Sequence, residues 1–348
     1  MKNASSRIKL ALIVSLLLAC GSGVYVWQRP LPTVAMSQTV VPGERQVNLL
    51  AVGDWGDDTH SQIRVAEGMA SFAEKRVPRL DGVLSLGDNF YVTLGGGVDD
   101  PNWDRLFERM FDPKRLNVPF YVLLGNHDYS GGREDRVELQ YAQAKPNSRW
   151  KMPARWYRLE LPSAEKPLVT FLMLDSNYLF LTPEQWREEA DWLTAELAKP
   201  RTSRWLVLCA HHPLYTNGGH GDDARLRREW GPLLAEHQVD FYVAAHDHNL
   251  QYLRLPGIQT TFVVSGGGGA TLHDIVRTDR ESFSNKIHGF AHLRFGEESA
   301  DLHLLDADGR PVHAAAVRPL RPDLPDMDTC PPVGRGPTTA PTPEQVRQ

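Results

Sequence analysis

The feature of this sequence that most constrains its fold is a repeated arrangement in which a short apolar run ends in a cluster of Asp, Asn, Tyr or His residues. Such runs, rich in β-branched and aromatic residues, predict buried strands. The five runs, each with the residues that follow it, are Val47–Val52 with GDWG, Val83–Leu86 with GDNFY, Phe120–Leu124 with GNHD, Trp205–Ala210 with HHP, and Phe241–Ala245 with HDH. Because carboxyl ends of parallel strands meet at one crevice, we expect these clusters to lie close together.

Amphipathic segments between the runs predict helices. Pro183–Leu197 carries apolar residues at helical spacing, and Thr182 and Gln185 form the pattern of a capping box at its start. Near the end of the chain, Gly289–Phe295 and Asp301–Leu305 predict a hairpin. Strands that alternate with helices favour an α/β fold with buried sheets.

The composition is that of a globular protein and excludes several functions. Of the 348 residues, 41% are hydrophobic and 23% are charged, which is enough apolar sequence for a sizeable core. The formal net charge is −5, and it falls to about −8 without the first twenty residues, which carry three basic side chains and no acidic one. General binding to nucleic acid needs a surplus of Lys and Arg, so we expect no nucleic-acid partner.

Residues 1–27 predict an export signal or a membrane anchor. A basic start, the apolar stretch Leu10–Ala19 and small residues after it make up the three-part layout of a secretory signal. Three alternatives remain. Residues 17–20 (LLAC) resemble a bacterial lipobox that would lipidate Cys20; the signal could instead be cleaved; or Leu10–Trp27, at 18 residues, could stay as an anchor. Each predicts an exported protein that is periplasmic, at the cell surface or secreted, with a membrane tether in the first and third cases.

Proline and glycine mark the remaining boundaries. Residues 28–45 are expected to form a linker, residues 46–316 the catalytic domain, and residues 317–348 a Pro-rich disordered tail. The run Gly266–Gly269 has no Lys-Ser or Lys-Thr pair after it, so it predicts a tight turn and not a phosphate-binding loop.

The polar clusters indicate a metal site when they are taken together. Alone, Asp54 could be a turn residue or helix cap, Asn126 a turn former, and any one His a hydrogen-bonded core residue. However, six of the thirteen histidines fall in three of these segments, and hard oxygen donors end the other strands. Oxygen donors and imidazoles on separate strand ends suit two adjacent metal ions that share a carboxylate.

The motifs GDWG, GDNFY, GNHD, AHHP and AHDHN, in this order, resemble those of the purple acid phosphatases in the metallophosphoesterase superfamily. The longer segments AHDHNLQYLR, GNHDYSGG and RWKMPARWYRL are similar to the small, tartrate-resistant (type 5) branch. The resemblance covers about residues 46–306. It implies a calcineurin-like β-sandwich of two mixed sheets flanked by helices.

The resemblance also implies a set of metal ligands. Asp54, Tyr91 and His248 would bind the first ion, Asp88 would bridge, and the second ion would have Asn126, His211 and His246. The charge count agrees, because the first position is rich in anionic oxygen if Tyr91 is a phenolate, whereas the second has mainly neutral donors. Fe(III) in the first position, with Fe(II), Zn(II) or Mn(II) in the second, fits this asymmetry.

The implied function is an acid phosphatase that hydrolyses small phosphate monoesters with a metal-bound hydroxide. His127 and His220 would bind substrate or protonate the leaving group, whereas His212 and Asp247 are expected to bind no metal. Two other readings remain: a phosphodiesterase or pyrophosphatase on the same site, and a catalytically silent binding module, which the complete ligand set disfavours. We expect a monomer.

Overall fold

The computed structural model describes residues 44–130, 134–277, 279–280 and 282–321. The predicted export signal, nearly all of the predicted linker and the part of the predicted tail after residue 321 lie outside these ranges. Within them, no helix combines the length and the apolar character needed to cross a bilayer.

Fourteen strands in the described residues form two seven-stranded mixed sheets. The strands are β1 (Val47–Val52), β2 (Gly82–Leu86), β3 (Phe120–Leu123), β4 (Trp150–Lys151), β5 (Tyr157–Leu161), β6 (Val169–Met173), β7 (Trp205–Cys209), β8 (Phe241–Ala244), β9 (Leu250–Leu253), β10 (Thr261–Ser265), β11 (Ser282–Asn285), β12 (Gly289–Phe295), β13 (Ala300–Asp306) and β14 (Pro311–Val317). The expected sandwich of two mixed sheets flanked by helices is confirmed.

Each sheet has a parallel centre that gathers strand ends at one edge. The first sheet has the order β14-β13-β12-β1-β2-β3-β4, in which β1 to β4 are parallel and β12 is antiparallel to β1. The second has the order β11-β9-β10-β8-β7-β6-β5, in which β6, β7, β8 and β10 are parallel. The five predicted strands are β1, β2, β3, β7 and β8, so all five polar clusters follow strands from these parallel regions.

The described helices cover the outer faces of the sandwich. They are α1 (His60–Arg76), α2 (Glu134–Ala144), α3 (Pro183–Ala198), α4 (Ala224–Glu229) and α5 (Gly231–Glu236), with short helical turns at Gly97–Asp99, Trp103–Glu108 and His127–Tyr129. The predicted capping box of α3 is confirmed: Thr182 Oγ1 accepts from Gln185 N at 3.2 Å, and Gln185 Oε1 accepts from Thr182 N at 3.0 Å.

Both faces of the central strands are buried, as their continuous apolar sequences require. In β1, Leu49 and Ala51 belong to an apolar cluster that contains residues of both sheets, whereas Leu50 and Val52 belong to a second cluster that contains residues of α1 and α3. Successive residues of a strand point to opposite faces. The sheets therefore pack on each other through one face and on helices through the other, which fixes the positions of the strand ends.

The end of the chain departs from the pattern seen in the sequence. The predicted hairpin is confirmed as β12 and β13, with Gly289 opposite Asp306. A further strand, β14, follows it and pairs with β13, and Leu320 N donates to Asp240 Oδ1 at 2.7 Å. Within the described residues, β14 ends at Val317 and Leu320 also contacts the fold, whereas most of the predicted tail lies outside them.

The hairpin buries two histidines that face each other. His292 and His303 are paired in register, 3% and 2% exposed, with their Nδ1 atoms 3.4 Å apart. Burial and the neighbouring His303 lower the pKa of His292 to about 3. In the folded protein His292 is therefore neutral at pH values where the unfolded chain would bind a proton.

This difference predicts that acid destabilises the fold through His292. Because the folded pKa lies below the unfolded value of 6.5, stability is retained above that pH and falls as the pH drops from 6.5 towards 3. Between pH 7 and pH 5, the free energy of unfolding of the metal-free protein should fall by about 2 kcal/mol less in His292→Leu than in the parent. Urea unfolding at the two pH values measures this. His60→Leu, at the exposed start of α1, is the matched control. The same pH dependence in His292→Leu and the parent would contradict the prediction.

Candidate metal centre

The loops after β1, β2 and β3 of the first sheet meet the loops after β7 and β8 of the second. These five loops bring together the side chains that the sequence predicts as metal ligands, which are Asp54, Asp88, Tyr91, Asn126, His211, His246 and His248. The donors come from positions up to almost 200 residues apart in the sequence, and the face-to-face packing of the two sheets brings their strand ends into one cluster.

Three of these residues have a left-handed backbone. The φ angles are 60° at Asp54, 51° at Asp88 and 67° at His246. For residues other than glycine, this conformation costs about 1–2 kcal/mol each and is concentrated at functional sites. The sharp turn at each strand end directs the side chain back into the cluster, and the surrounding fold supplies the stabilisation that this conformation lacks.

Tyr91 lies at the centre of a first donor group. Its hydroxyl oxygen is 3.1 Å from Asp88 Oδ2, 3.2 Å from His248 Nε2 and 3.5 Å from Asp54 Oδ1. Within the same group, His248 Nε2 lies 3.3 Å from Asp54 Oδ1. Three oxygens and one nitrogen therefore face a common point.

His211 lies at the centre of a second donor group. Its Nε2 atom is 3.1 Å from Asn126 Oδ1, 3.2 Å from His246 Nδ1 and 3.4 Å from Asp88 Oδ2. Asp88 Oδ2 therefore belongs to both groups, whereas Asp88 Oδ1 accepts from the backbone N–H of His127 at 2.8 Å. One carboxylate oxygen is positioned between two sets of donors.

The imidazole orientations fit metal ions at both points. His211 Nδ1 donates to Leu86 O at 2.8 Å, and His248 Nδ1 donates to Thr271 O at 2.6 Å. With this proton on Nδ1, the Nε2 atom of each ring faces the carboxylates. Metal-binding histidines are commonly oriented by such a hydrogen bond from the other ring nitrogen. An octahedral ion with bonds of about 2.1 Å separates neighbouring donors by about 3 Å, which is close to the spacing in both groups.

The two carboxylates also favour a bound positive charge at the cluster. Burial alone would lower the pKa of His211, but Asp88 and Asp54 outweigh it and raise this pKa to about 9. Burial and the same two carboxylates raise the pKa of the Tyr91 phenol far above its ordinary value. The carboxylates thus attract a proton in the absence of other cations, and a bound cation would replace it and favour the phenolate.

Asp128 connects two of the ligand-bearing loops, a role that the sequence analysis missed. Its Oδ1 accepts from the N–H groups of Asn89 and Phe90 at 2.9 and 3.1 Å, and its Oδ2 accepts from Gly125 N at 2.8 Å. Burial and the neighbouring Asp128 raise the pKa of Glu138 well above its usual value. Asp128 thereby fixes the loop of Asp88 and Tyr91 against the loop of Asn126.

The two predicted substrate-binding histidines lie on different sides of the cluster. His127 is exposed, and its ring centroid is 4.4 Å from that of Tyr91 in the first group. The His220 side chain is 45% exposed, with its ring 4.2 Å from that of His246 in the second group. Both are accessible to a molecule bound over the cluster.

Asp247 and His212 contact the cluster without belonging to either donor group. Asp247 Oδ1 accepts from His220 Nδ1 at 2.9 Å, and its Oδ2 accepts from the Thr216 hydroxyl. Asp247 Oδ1 therefore orients His220, while Thr216 holds the other carboxylate oxygen in place. His212 Nδ1 is 2.8 Å from Ser176 Oγ, and burial together with His211 lowers the pKa of His212 to about 3. This ring is a neutral neighbour of His246.

His273 was also missed by the sequence analysis. Its ring stacks on that of His248, with centroids 3.8 Å apart and an angle of 14° between the planes, and its Nδ1 accepts from His248 N at 3.3 Å. It supports the orientation of His248. It stands alone in the sequence, outside every strand-end cluster, so no sequence pattern indicates it.

The run Gly266–Gly269 does not close the predicted tight turn, and that prediction is wrong. Its N–H groups serve other loops instead: Gly266 N donates to Asn249 O, and Gly268 N donates to Gly53 O, both at 3.1 Å. A Cβ atom on Gly266 would lie 2.6 Å from Asp54 Oδ2. Glycine is needed here because the backbone passes directly beside a metal-ligand candidate.

A family model for calcineurin-like phosphoesterases matches residues 47–250, the segment that carries all seven clustered side chains. The chain belongs to the calcineurin-like phosphoesterase family. Within the family, tartrate-resistant acid phosphatase type 5 from Homo sapiens is 30% identical over 296 residues, covering 76% of this chain and 88% of the human protein. Purple acid phosphatase 7 from Arabidopsis thaliana is 30% identical over 297 residues, covering 78% of this chain and 86% of the plant protein. These relatives confirm the resemblance to purple acid phosphatases.

Solved structures show that the calcineurin-like phosphoesterase fold is shared more widely. Purple acid phosphatase PPD1 from yellow lupin superposes with a TM-score of 0.63 at 18% identity, covering 84% of this chain and 58% of that one. GAP50 of Plasmodium, described as the anchor in the inner membrane complex, superposes with a TM-score of 0.70 at 21% identity. The match covers 80% of this chain and 90% of that one. At these identities only the fold is shown, so function has to be argued from the site.

The contacts of Asp128 predict a large effect on stability. Asp128→Ala leaves three buried N–H groups without their acceptor, so we expect the free energy of unfolding of the metal-free protein to fall by about 3 kcal/mol or more. Urea unfolding measures this. Asp99→Ala is the control, since the Asp99 side chain is 85% exposed, and it should change stability by less than about 0.5 kcal/mol. Equal stability of the two variants would show that Asp128 does not connect the loops.

Proposed function

We propose that this chain is an acid phosphatase that hydrolyses phosphate monoesters at a centre of two metal ions. The observation that carries the proposal is the pair of donor groups that share Asp88 Oδ2, in which the Tyr91 hydroxyl oxygen and His211 Nε2 each lie 3.1–3.5 Å from the other three donors of their group. Membership of a family that includes tartrate-resistant and purple acid phosphatases supports it.

The proposed ligand assignment follows the two groups. Asp54, Tyr91 and His248 would hold the first ion, with Asn126, His211 and His246 holding the second, and Asp88 would bridge. The anionic oxygens of the first group suit Fe(III), and the mainly neutral second group suits Fe(II), Zn(II) or Mn(II). When bound, two such ions neutralise phosphate oxygens and make water a better nucleophile.

We assign proton transfer to His220. In ester hydrolysis the bond from phosphorus to the leaving oxygen breaks, a bond from phosphorus to a water oxygen forms, and the leaving oxygen takes a proton. His220 Nδ1 donates to Asp247 Oδ1, so its Nε2 atom is the one available to a substrate. Asp247 stays ionised, because its hydrogen bonds from His220 outweigh burial and hold its pKa below the usual range.

His127 is proposed to bind the phosphate. Its backbone N–H donates to Asp88 Oδ1 at 2.8 Å, which fixes the residue beside the first donor group, and its side chain is exposed. An imidazole in this place can donate a hydrogen bond to a phosphate oxygen. Positioning by His127 and protonation by His220 are thus assigned to opposite ends of the cluster.

We further propose that the chain is exported and acts as a monomer on small phosphate esters. The support for export is the basic start, the apolar stretch Leu10–Ala19 and the LLAC sequence that ends at Cys20. A periplasmic, cell-surface or secreted protein would meet phosphate esters outside the cytoplasm, and lipidation at Cys20 would keep it at a membrane.

Hydrolysis of matched substrates tests the proposed function. We expect the metal-loaded protein to hydrolyse 4-nitrophenyl phosphate faster than bis(4-nitrophenyl) phosphate, with its best rate below pH 7. Asp88→Ala should abolish the reaction because it removes the shared ligand. Faster hydrolysis of the diester would favour a phosphodiesterase, and metal binding without turnover of either substrate would indicate a binding module.

The assignment of Tyr91 predicts a visible colour. A phenolate bound to Fe(III) absorbs visible light by charge transfer, so Tyr91→Phe should lose this absorption, with some activity kept. Tyr121→Phe, in β3, serves as the control and should keep the colour. A visible spectrum at matched iron content measures the effect. Unchanged absorption in Tyr91→Phe would contradict the phenolate assignment.

A further inference from the structure

A cavity of about 720 Å³ extends from the second donor group. Asn126, His246 and His220 line it, so it opens directly onto the proposed metal centre and the proposed proton donor. Volumes of this size hold drug-sized ligands and far exceed a phosphate group. A leaving group protonated by His220 would therefore extend into this cavity.

One part of the cavity lining is unusually apolar and exposed. Leu179 is 82% exposed and Phe180 is 47% exposed, and both line the cavity. In the described residues, only two other large apolar side chains, Ile63 and Val276, are exposed in this way. Adjacent exposed apolar side chains at the mouth of a cavity mark a binding surface, because leaving them in water costs free energy.

A backbone hydrogen bond and a ring contact hold Phe180, one of the two residues of this apolar surface. Phe180 N donates to Asn177 O at 2.8 Å, and Asn177 Nδ2 donates to Leu124 O at 3.0 Å, at the end of the strand that leads to Asn126. The Phe180 ring stacks on Tyr129, with centroids 5.4 Å apart and an angle of 20°. Phe180 is thus held in place relative to the metal centre before any ligand binds.

Several charged groups of the lining are paired within the protein. Arg225 and Arg228 both contact Glu229 Oε1, at 3.1 and 3.2 Å, and Asp222 forms an ion pair with Arg280. The Arg225 guanidinium also lies 4.6 Å from the centre of the Tyr178 ring. The cavity therefore offers planar and apolar surfaces beside these paired groups.

We propose that this cavity is a subsite for a planar aromatic ring in the leaving group of the phosphate ester. The ring would contact Leu179 and Phe180, with the ester phosphate at the metal centre and the leaving oxygen at His220. The inference rests on the proposed phosphatase function and adds the substrate class. Stacking of a base on such surfaces is worth about a tenfold gain or more in binding.

Two substrates with the same leaving oxygen test the subsite. Adenosine 5′-phosphate and ribose 5-phosphate both release a primary alcohol and differ in the aromatic base. For the metal-loaded full chain we expect kcat/KM to be about tenfold higher for adenosine 5′-phosphate, mainly through KM. Leu179→Ser and Phe180→Ser should each bring this ratio close to one. Ile63→Ser, an exposed apolar position on α1, is the matched control and should keep the ratio.

The outcomes separate the subsite from the proposed function. Hydrolysis of both substrates at equal kcat/KM by the parent would overturn the subsite and leave the phosphatase function intact. Hydrolysis of neither would remove the phosphatase function and this proposal with it. An equal fall in kcat/KM for both substrates in Leu179→Ser, which leaves their ratio unchanged, would also overturn the subsite.

A binding measurement tests the subsite without turnover. In saturation-transfer NMR on the metal-free full chain, the base protons of adenosine should receive magnetisation from the protein, and Leu179→Ser should weaken this transfer several-fold. Ribose, at the same concentration, should show little. Equal transfer to adenosine in the parent and in Leu179→Ser would contradict the proposed contact.

Discussion

The site depends on the positive charge that its two buried carboxylates, Asp54 and Asp88, require beside them. The hydroxyl oxygen of Tyr91 lies 3.1–3.5 Å from donor atoms of Asp54, Asp88 and His248, and Asp88 Oδ2 also lies 3.4 Å from His211 Nε2, in a largely buried cluster. In a medium of low polarity such an arrangement is expensive unless a cation joins it. The raised pKa of His211 shows the same demand, since the carboxylates favour the charged imidazole despite its burial.

The rest of the fold supports this arrangement. Two sheets present the ends of their parallel strands at one edge, and the left-handed backbone at Asp54, Asp88 and His246 directs these side chains inward. Asp128 joins two ligand loops, and the close approach at Gly266 joins others. Strain at the ligands is thus balanced by hydrogen bonds and packing around them, which is the usual arrangement at a preorganised site.

Much of this could be predicted because strand ends carry their chemistry in adjacent residues. A residue such as Asp54 follows a recognisable apolar run, so its place at the sheet edge follows from the sequence. The strand β6 and Ser176, which meets His212, were missed, although Asp175 follows this strand after one residue, as Asp54 follows β1. His273 and the exposed Leu179 depend on contacts made only after folding, and a single His or Leu outside a pattern gives no sequence signal. The Gly266–Gly269 run was misread because glycine serves close packing as well as turns.

Anomalous X-ray diffraction from crystals of the metal-loaded protein tests whether two ions share Asp88. We expect two anomalous peaks, both within about 2–2.5 Å of Asp88 Oδ2, one also bonded to the Tyr91 hydroxyl oxygen and the other to His211 Nε2. Data collected at the iron edge should show iron at the peak beside Tyr91. A single peak, or two peaks that do not share Asp88, would contradict a bridged pair of ions and the mechanism built on it.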